Sequence, residues 1–280
     1  MSAGSVDSIK DLRERTGAGM MDCKVALKES GGNIEKAIDF LRKKGVAQAA
    51  KRAGRDAKEG LIVARIEGHT AAIVEVNCET DFVARTDDFK GLALMALEAV
   101  LEGGEKELTS EKIANRVAEL SGKIGEKILV RRAKLVQGQG ALFYYIHSNQ
   151  KLGVIVDLSA DKTETRKDPA FQELGKHLTM QVAASNPICL KRDQMPSDIV
   201  EREKAIFTEE VKGKPMTIVE KILRGKLEKF YQGTCLLEQP FIRDEKMSVQ
   251  KLIDDTAKKL GDKIQVNQFV RLQLGENEKN

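Results

Sequence analysis

Asp81 and Phe82 stand side by side in "NCETDFVART" (77–86), between "AAIVEV", which alternates like a strand, and "DDFKGLALMALEAV", which has helical spacing. A plain connection would use Gly, Pro or Asn there. An acid next to a large ring instead gives the loop a target: the carboxylate offers charge and the ring offers apolar area. The alternative is that Phe82 folds back under the following helix as an outlying core residue. Other residues that could do chemistry are sparse. No phosphate-loop motif, G-x-S-x-G, H-E-x-x-H or paired cysteine ligand set is present, which argues against an enzyme. "GAGMMD" (17–22) resembles the start of a dinucleotide fingerprint, but it follows a helical stretch and lacks the third glycine, so it reads as a tight turn. Cys23, Cys78, Cys189 and Cys235 show no C-x-x-C pair and no metal-ligand spacing with His69, His147 or His177. Reduced thiols are expected, with no disulfide, no metal site and no cofactor.

The chain of 280 residues, 41% of them hydrophobic, is long enough for one large domain or several small ones with real cores. Its 47 basic and 43 acidic residues leave a formal charge of only +4, spread over mixed-sign helix faces. No apolar run reaches membrane-spanning length, and the N-terminus lacks the apolar centre of a signal peptide, so a cytoplasmic protein without a membrane partner is expected.

The elements that hold the loop can be read from periodicity. Val6, Ile9 and Leu12, then Met20, Cys23 and Leu27, then Ile34, Ala37, Ile38 and Leu41 form three helical stripes. They predict a three-helix bundle over 1–45, with Asn33 as an N-cap, Gly45 as a left-handed C-terminal residue, and one of Met20 and Met21 in the core. A basic connector, helical or flexible, follows over 46–59. From Gly60 the period becomes two: Ile62, Ala64 and Ile66, a turn at "EGHT" (67–70), then Ala72, Val74, Val76 and Cys78 predict an antiparallel hairpin. The next helix should bury Phe89, Leu92, Ala93, Ala96, Leu97 and Val100, and "EKILVRRAKLV" (126–136) supplies a further strand. This α+β unit, 60–137, recurs. A shift of 80 residues sets Gly60 on Gly140, Ile66 on Ile146, Val74 on Val154, Val76 on Val156 and Asp81 on Asp161, and two inserted residues then bring Phe89 onto Phe171. The second unit comprises 138–186 and 234–280, with "NQFVRLQLGE" (267–276) as its last strand. Between its parts, 187–233 carries stripes at Ile199 and Ile206, then at Val219, Ile222, Leu223, Leu227 and Phe230, broken by "VKGKP" (211–215), which predicts an antiparallel helical hairpin of coiled-coil type. In the matched copy "CETDFVART" becomes "LSADKTETR", which lacks Phe82, so folding alone does not call for that ring.

"LRERTGAGMMDCKVAL" (12–27) and "EVNCETDFVAR" (75–85) resemble the two signatures of the bacterial translation elongation factor Ts family, and the resemblance runs on through the duplicated core and the hairpin to "QPFI" (239–242). It implies a UBA-like N-terminal bundle and a protein that promotes GDP release from elongation factor Tu, binding that GTPase in its GDP-bound and nucleotide-free forms. By the resemblance, Phe82 wedges between partner helices, Asp81 approaches the helix beside the partner's Mg²⁺ site, and Thr80 and Val83 shape the loop. Arg13, Met20 and Met21 would dock on the GTPase domain, and His147 would face the partner, although by itself it reads as a surface histidine. The competing class is an RNA-binding translation accessory protein, suggested by the basic run at 42–58. Only 4% of the residues are aromatic, which leaves few stacking platforms, and no stable nucleic-acid partner is expected.

Overall fold

The computed structural model describes residues 5–211 and 215–276. The fold is α+β with antiparallel sheets. Three helices open it: α1 (Val6–Thr16), α2 (Met20–Glu29) and α3 (Ile34–Arg52). Ser5 caps the first through the Ser8 N–H, and the Asn33 side chain caps the third by accepting the Lys36 N–H at 3.0 Å. Leu12, Cys23, Ala26, Leu27 and Ala37 form their common core.

The third helix does not end at Gly45. It continues for two more turns, so half of the expected connector is helix. The reason lies in a helix crossing. α3 packs on a later helix, and a Cβ at Gly45 would sit 3.1 Å from the Ala118 carbonyl oxygen. The glycine is there for close backbone approach, not for a left-handed cap. Arg52 fixes the extension by donating to the Ser121 carbonyl at 3.1 Å.

Next come β1 (Glu59–Glu67), β2 (Thr70–Cys78), the single turn α4 (Asp81–Ala84), α5 (Asp87–Gly103), α6 (Glu111–Ile124) and β3 (Leu129–Gln137). The strands pair antiparallel in the order β1-β2-β3. α5 buries the six residues that its spacing predicts. α6 has no counterpart in the sequence reading, though Ile113, Val117, Leu120 and Ile124 recur at helical spacing. It is the helix that receives Gly45.

The second sheet is built from β4 (Ala141–Ile146), β5 (Leu152–Ala160) and, much later, β8 (Ile264–Gln273), in the order β4-β5-β8. α7 (Pro169–Ser185) covers it as α5 covers the first. The strand registers correct the alignment of the two units. Ile66 faces Ala71 and Ile146 faces Gly153, so the offset is 146 − 66 = 80 on the first strand but 153 − 71 = 82 on the second. The two extra residues therefore lie in the hairpin turn. Asp81 falls opposite Thr163, not Asp161, and Phe82 opposite Glu164.

The two sheets pack back to back. Ile62, Ile73, Val136, Ile155 and Leu272 form the layer between them, and the absence of a side chain at Gly153 leaves room for Ile62 and Ile73. Glu75, fully buried, is satisfied from both sides: Arg132 Nε donates at 2.7 Å and the Gly275 N–H at 3.0 Å.

Between α7 and β8 run α8 (Ser197–Glu210), α9 (Met216–Thr234), a small ribbon β6 (Pro240–Phe241) and β7 (Asp244–Ser248), and α10 (Val249–Leu260). Lys226 pairs with Glu210 and covers the Phe207 ring, while Ile199 and Val200 pack in one cluster with Phe230 and Tyr231, so α8 and α9 run antiparallel. The expected break at 211–215 falls largely on 212–214, outside the described residues.

Candidate functional site

The loop between β2 and α5 is a fixed mount. Thr80 caps α4, and one carboxylate from across the sheet holds its base: Glu126 accepts the Glu79 N–H at 3.1 Å, the Thr80 N–H at 3.0 Å and the Thr80 hydroxyl at 2.7 Å. Glu79 in turn accepts the Lys127 N–H at 2.6 Å and an Arg55 N–H at 3.2 Å. These bonds, the Lys127 amide foremost, hold its carboxyl below the usual range. At the far end the Thr86 hydroxyl donates to the Val83 carbonyl at 2.8 Å and caps α5. Cys78 ends the strand with its thiol on the Thr80 carbonyl. Burial first, then the nearby Glu126 and Glu59 charges, pushes that thiol up to about 12.

Neighbouring residues on a helical turn point about 100° apart. The turn uses that angle to divide its work. Val83 and Ala84 are buried in the core beneath α5, whereas the Phe82 ring is 76% exposed. Phe82 is therefore not an outlying core residue of this chain. Asp81 lies beside it, half-exposed, with Oδ2 2.6 Å from Arg85 Nη2. Such an exposed pair contributes little to stability and exchanges readily for another partner. The arrangement offers one large ring and one carboxylate on a rigid base, which suits binding and displacement.

The other expected contact residues occupy separate elements. Arg13 is exposed on α1. Met20 and Met21 open α2 at 58% and 68% exposure, so neither belongs to the core, and Val6 on α1 is equally bare. His147 is exposed just past β4, its Nδ1 2.7 Å from the Tyr145 hydroxyl. Among the described residues no hydrogen bond, ion pair or ring contact joins any of these to the Phe82 turn. Sequence reasoning missed Glu126, Glu79 and Arg85. Glu126 acts from 46 residues away, beyond any periodic signal, while Arg85 stands four residues after Asp81 at the spacing of a helical ion pair.

Among the described residues, no group of three or more His, Cys, Asp or Glu could hold a metal ion, and no helix is long and apolar enough to cross a membrane. The family model described as elongation factor TS matches residues 79–276. An elongation factor Ts of Prosthecochloris aestuarii is 45% identical over 293 aligned positions, covering 98% of this chain and 100% of the relative. One from Nitratidesulfovibrio vulgaris is 42% identical, covering 96% and 95%, and one from Clostridium botulinum is 43% identical, covering 97% and 93%.

Proposed function

This chain belongs to the elongation factor Ts family, and on that premise we propose that it binds elongation factor Tu in its GDP-bound form, promotes GDP release and holds the nucleotide-free partner until GTP reloads it. The observation that carries this reading is the Phe82 ring, exposed on a turn that Val83, Thr80 and Glu126 hold in place. A GTPase grips GDP through backbone N–H groups and a Mg²⁺ ion bridging protein and phosphate oxygens. An exchange factor has to weaken both without breaking a covalent bond. Phe82 enters an apolar gap between partner helices; Asp81, leaving Arg85, disturbs the groups that position the partner's Mg²⁺. The chain is accordingly an exchange factor and not an enzyme, needs no cofactor of its own, and works in the cytoplasm.

Magnitudes require further contacts. Burying one Phe is worth about 1.5–3 kcal/mol, whereas a ten-thousandfold weakening of the nucleotide takes about 5.5 kcal/mol of coupling. Arg13, Met20 and Met21 on the N-terminal helices, His147 on the second sheet and the α8–α9 hairpin supply the remainder. This assigns a division of labour to a UBA-like bundle, a duplicated α+β core and an inserted coiled-coil hairpin. RNA binding by the basic run at 42–58 is the weaker alternative, since Lys44 is paired with Asp22 and Arg52 is spent on α6. Release of labelled GDP from purified elongation factor Tu tests the proposal: the chain accelerates it at substoichiometric amounts, and an unchanged release rate contradicts it.

A further inference from the structure

Cys189 and Cys235, 46 residues apart, meet at the base of the helical hairpin, and we propose that they are an oxidation-closable pair that locks this base as an intramolecular disulfide. Here the chain entering the hairpin runs parallel to the chain leaving it. The Ile188 N–H donates to the Thr234 carbonyl at 2.8 Å, the Leu236 N–H to Cys189 at 2.9 Å and the Leu237 N–H to Leu190 at 3.2 Å, with Cys189 and Cys235 as the bridged pair. Paired strands lie about 4.7–4.9 Å apart, inside the Cα separation of about 4.4–6.8 Å that disulfides use. The sulfurs are 3.7 Å apart. Bonding needs them closer by roughly 1.7 Å, the difference from a bond of about 2.0 Å, which rotation of the side chains supplies.

The surroundings favour this product over others. Cys189 is 7% exposed and Cys235 is fully buried, among Met195, Ile199, Val200 and Phe230, so a bulky mixed disulfide has no room. A hydroperoxide is the oxidant. One thiolate attacks its O–O bond, giving a sulfenic acid and releasing water after protonation; the second sulfur then displaces hydroxide from the first. Two thiols lose two electrons and two protons, and hydrogen peroxide becomes two waters. Burial pushes the Cys189 thiol up to about 12 and raises Cys235 as well, so the reaction is slow at neutral pH and quickens as pH rises. Arg192 already clamps the same place through Glu228 at 2.7 Å and Glu238 at 2.5 Å, while stacking on Tyr231. The disulfide would close covalently a loop that contains both helices.

The test uses the full chain and is independent of nucleotide exchange. After treatment with hydrogen peroxide at alkaline pH, the protein is denatured, alkylated and mapped by peptide mass spectrometry. The expected result is a linked peptide joining Cys189 to Cys235 that weighs about 2 Da less than the sum of its two free-thiol peptides, Cys23 and Cys78 still alkylatable, and a melting temperature higher by about 5–10 °C that dithiothreitol reverses. Cys189→Ser abolishes the link and the shift. Four alkylatable thiols in a sample whose methionines have been oxidised, a link through Cys23 or Cys78, sulfinic acid at either position, or a link without a rise in melting temperature would each overturn the proposal.

Discussion

The chain leaves β2 and β5 by turns of equal length, and the contrast between them separates what folding needs from what is left over. Cys78 and Ala160 end the strands; Thr86 and Asp168 cap helices of 17 residues each, whose Phe89 and Phe171 are both fully buried. Each turn is held by an acid that stands shortly before the last strand of its sheet. Glu126 takes the Thr80 N–H and hydroxyl, and Asp262 takes the Lys162 N–H at 3.0 Å. The first turn sends Val83 and Ala84 inward, and the second sends Thr165 inward at the place of Val83. The outward residue differs: Phe82 in one, Glu164 in the other. The scaffold is satisfied either way, so the exposed ring belongs to a different task.

The largest stability effects should fall on the shared parts. Phe89→Ala and Phe171→Ala each remove a fully buried ring and should cost about 3–5 kcal/mol in denaturant unfolding, with GDP release falling only in proportion to the unfolded fraction. A large cost in one unit with little or none in the other would break the equivalence. Glu126→Ala deletes the acceptor of three hydrogen bonds and should cost about 1.5–3 kcal/mol. Beyond that cost it should slow GDP release, because the Phe82 turn loses its base, whereas Asp262→Asn should lower the melting temperature and leave release per folded molecule unchanged.

Acid sharpens the same contrast. Hydrogen bonds hold the Glu79 and Asp262 carboxyls below their ordinary values of 4.5 and 3.8. A carboxyl depressed in the folded state contributes stability that is fully present above its unfolded value and lost as pH falls through the folded one. Melting temperature should therefore decline as pH drops below about 4.5, and Asp262→Asn should flatten part of that slope. An unchanged slope in the variant would remove Asp262 from the account.

Much of this was legible from residue spacing. The six buried positions of α5, the alternation of β1 and β2, the Asn33 cap and the signature around Asp81 were all readable, because each depends on neighbours within a turn or two. The rest depended on distant chain. Gly45 looks the same whether it ends a helix or lets two helices cross, and only Ala118 decides between them. The two-residue slip between the sheets was hidden because period-two alternation is unchanged by a shift of two, which let Asp161 pass for the counterpart of Asp81. Glu126 and the Cys189–Cys235 contact join residues 46 apart, beyond any local pattern.

The smallest stability effects should come from the residues proposed to meet the partner. Asp81→Ala breaks only an exposed ion pair with Arg85, so its unfolding free energy should change by less than about 0.5 kcal/mol. GDP release should nevertheless slow, and the deficit should shrink when Mg²⁺ is chelated, since the chelator then performs the step proposed for Asp81. A deficit indifferent to chelation would separate Asp81 from the metal.

Phe82→Ala, measured for thermal stability and for GDP release from elongation factor Tu in the same preparation, tests the central claim most directly. A ring already exposed in the free chain leaves no hole when truncated, so the melting temperature should stay within about 1–2 °C of the parent. Release should fall at least tenfold, the scale of an interfacial aromatic worth about 1.4–2 kcal/mol or more, and part of that deficit should persist without Mg²⁺. A large loss of thermal stability with GDP release intact would contradict the account.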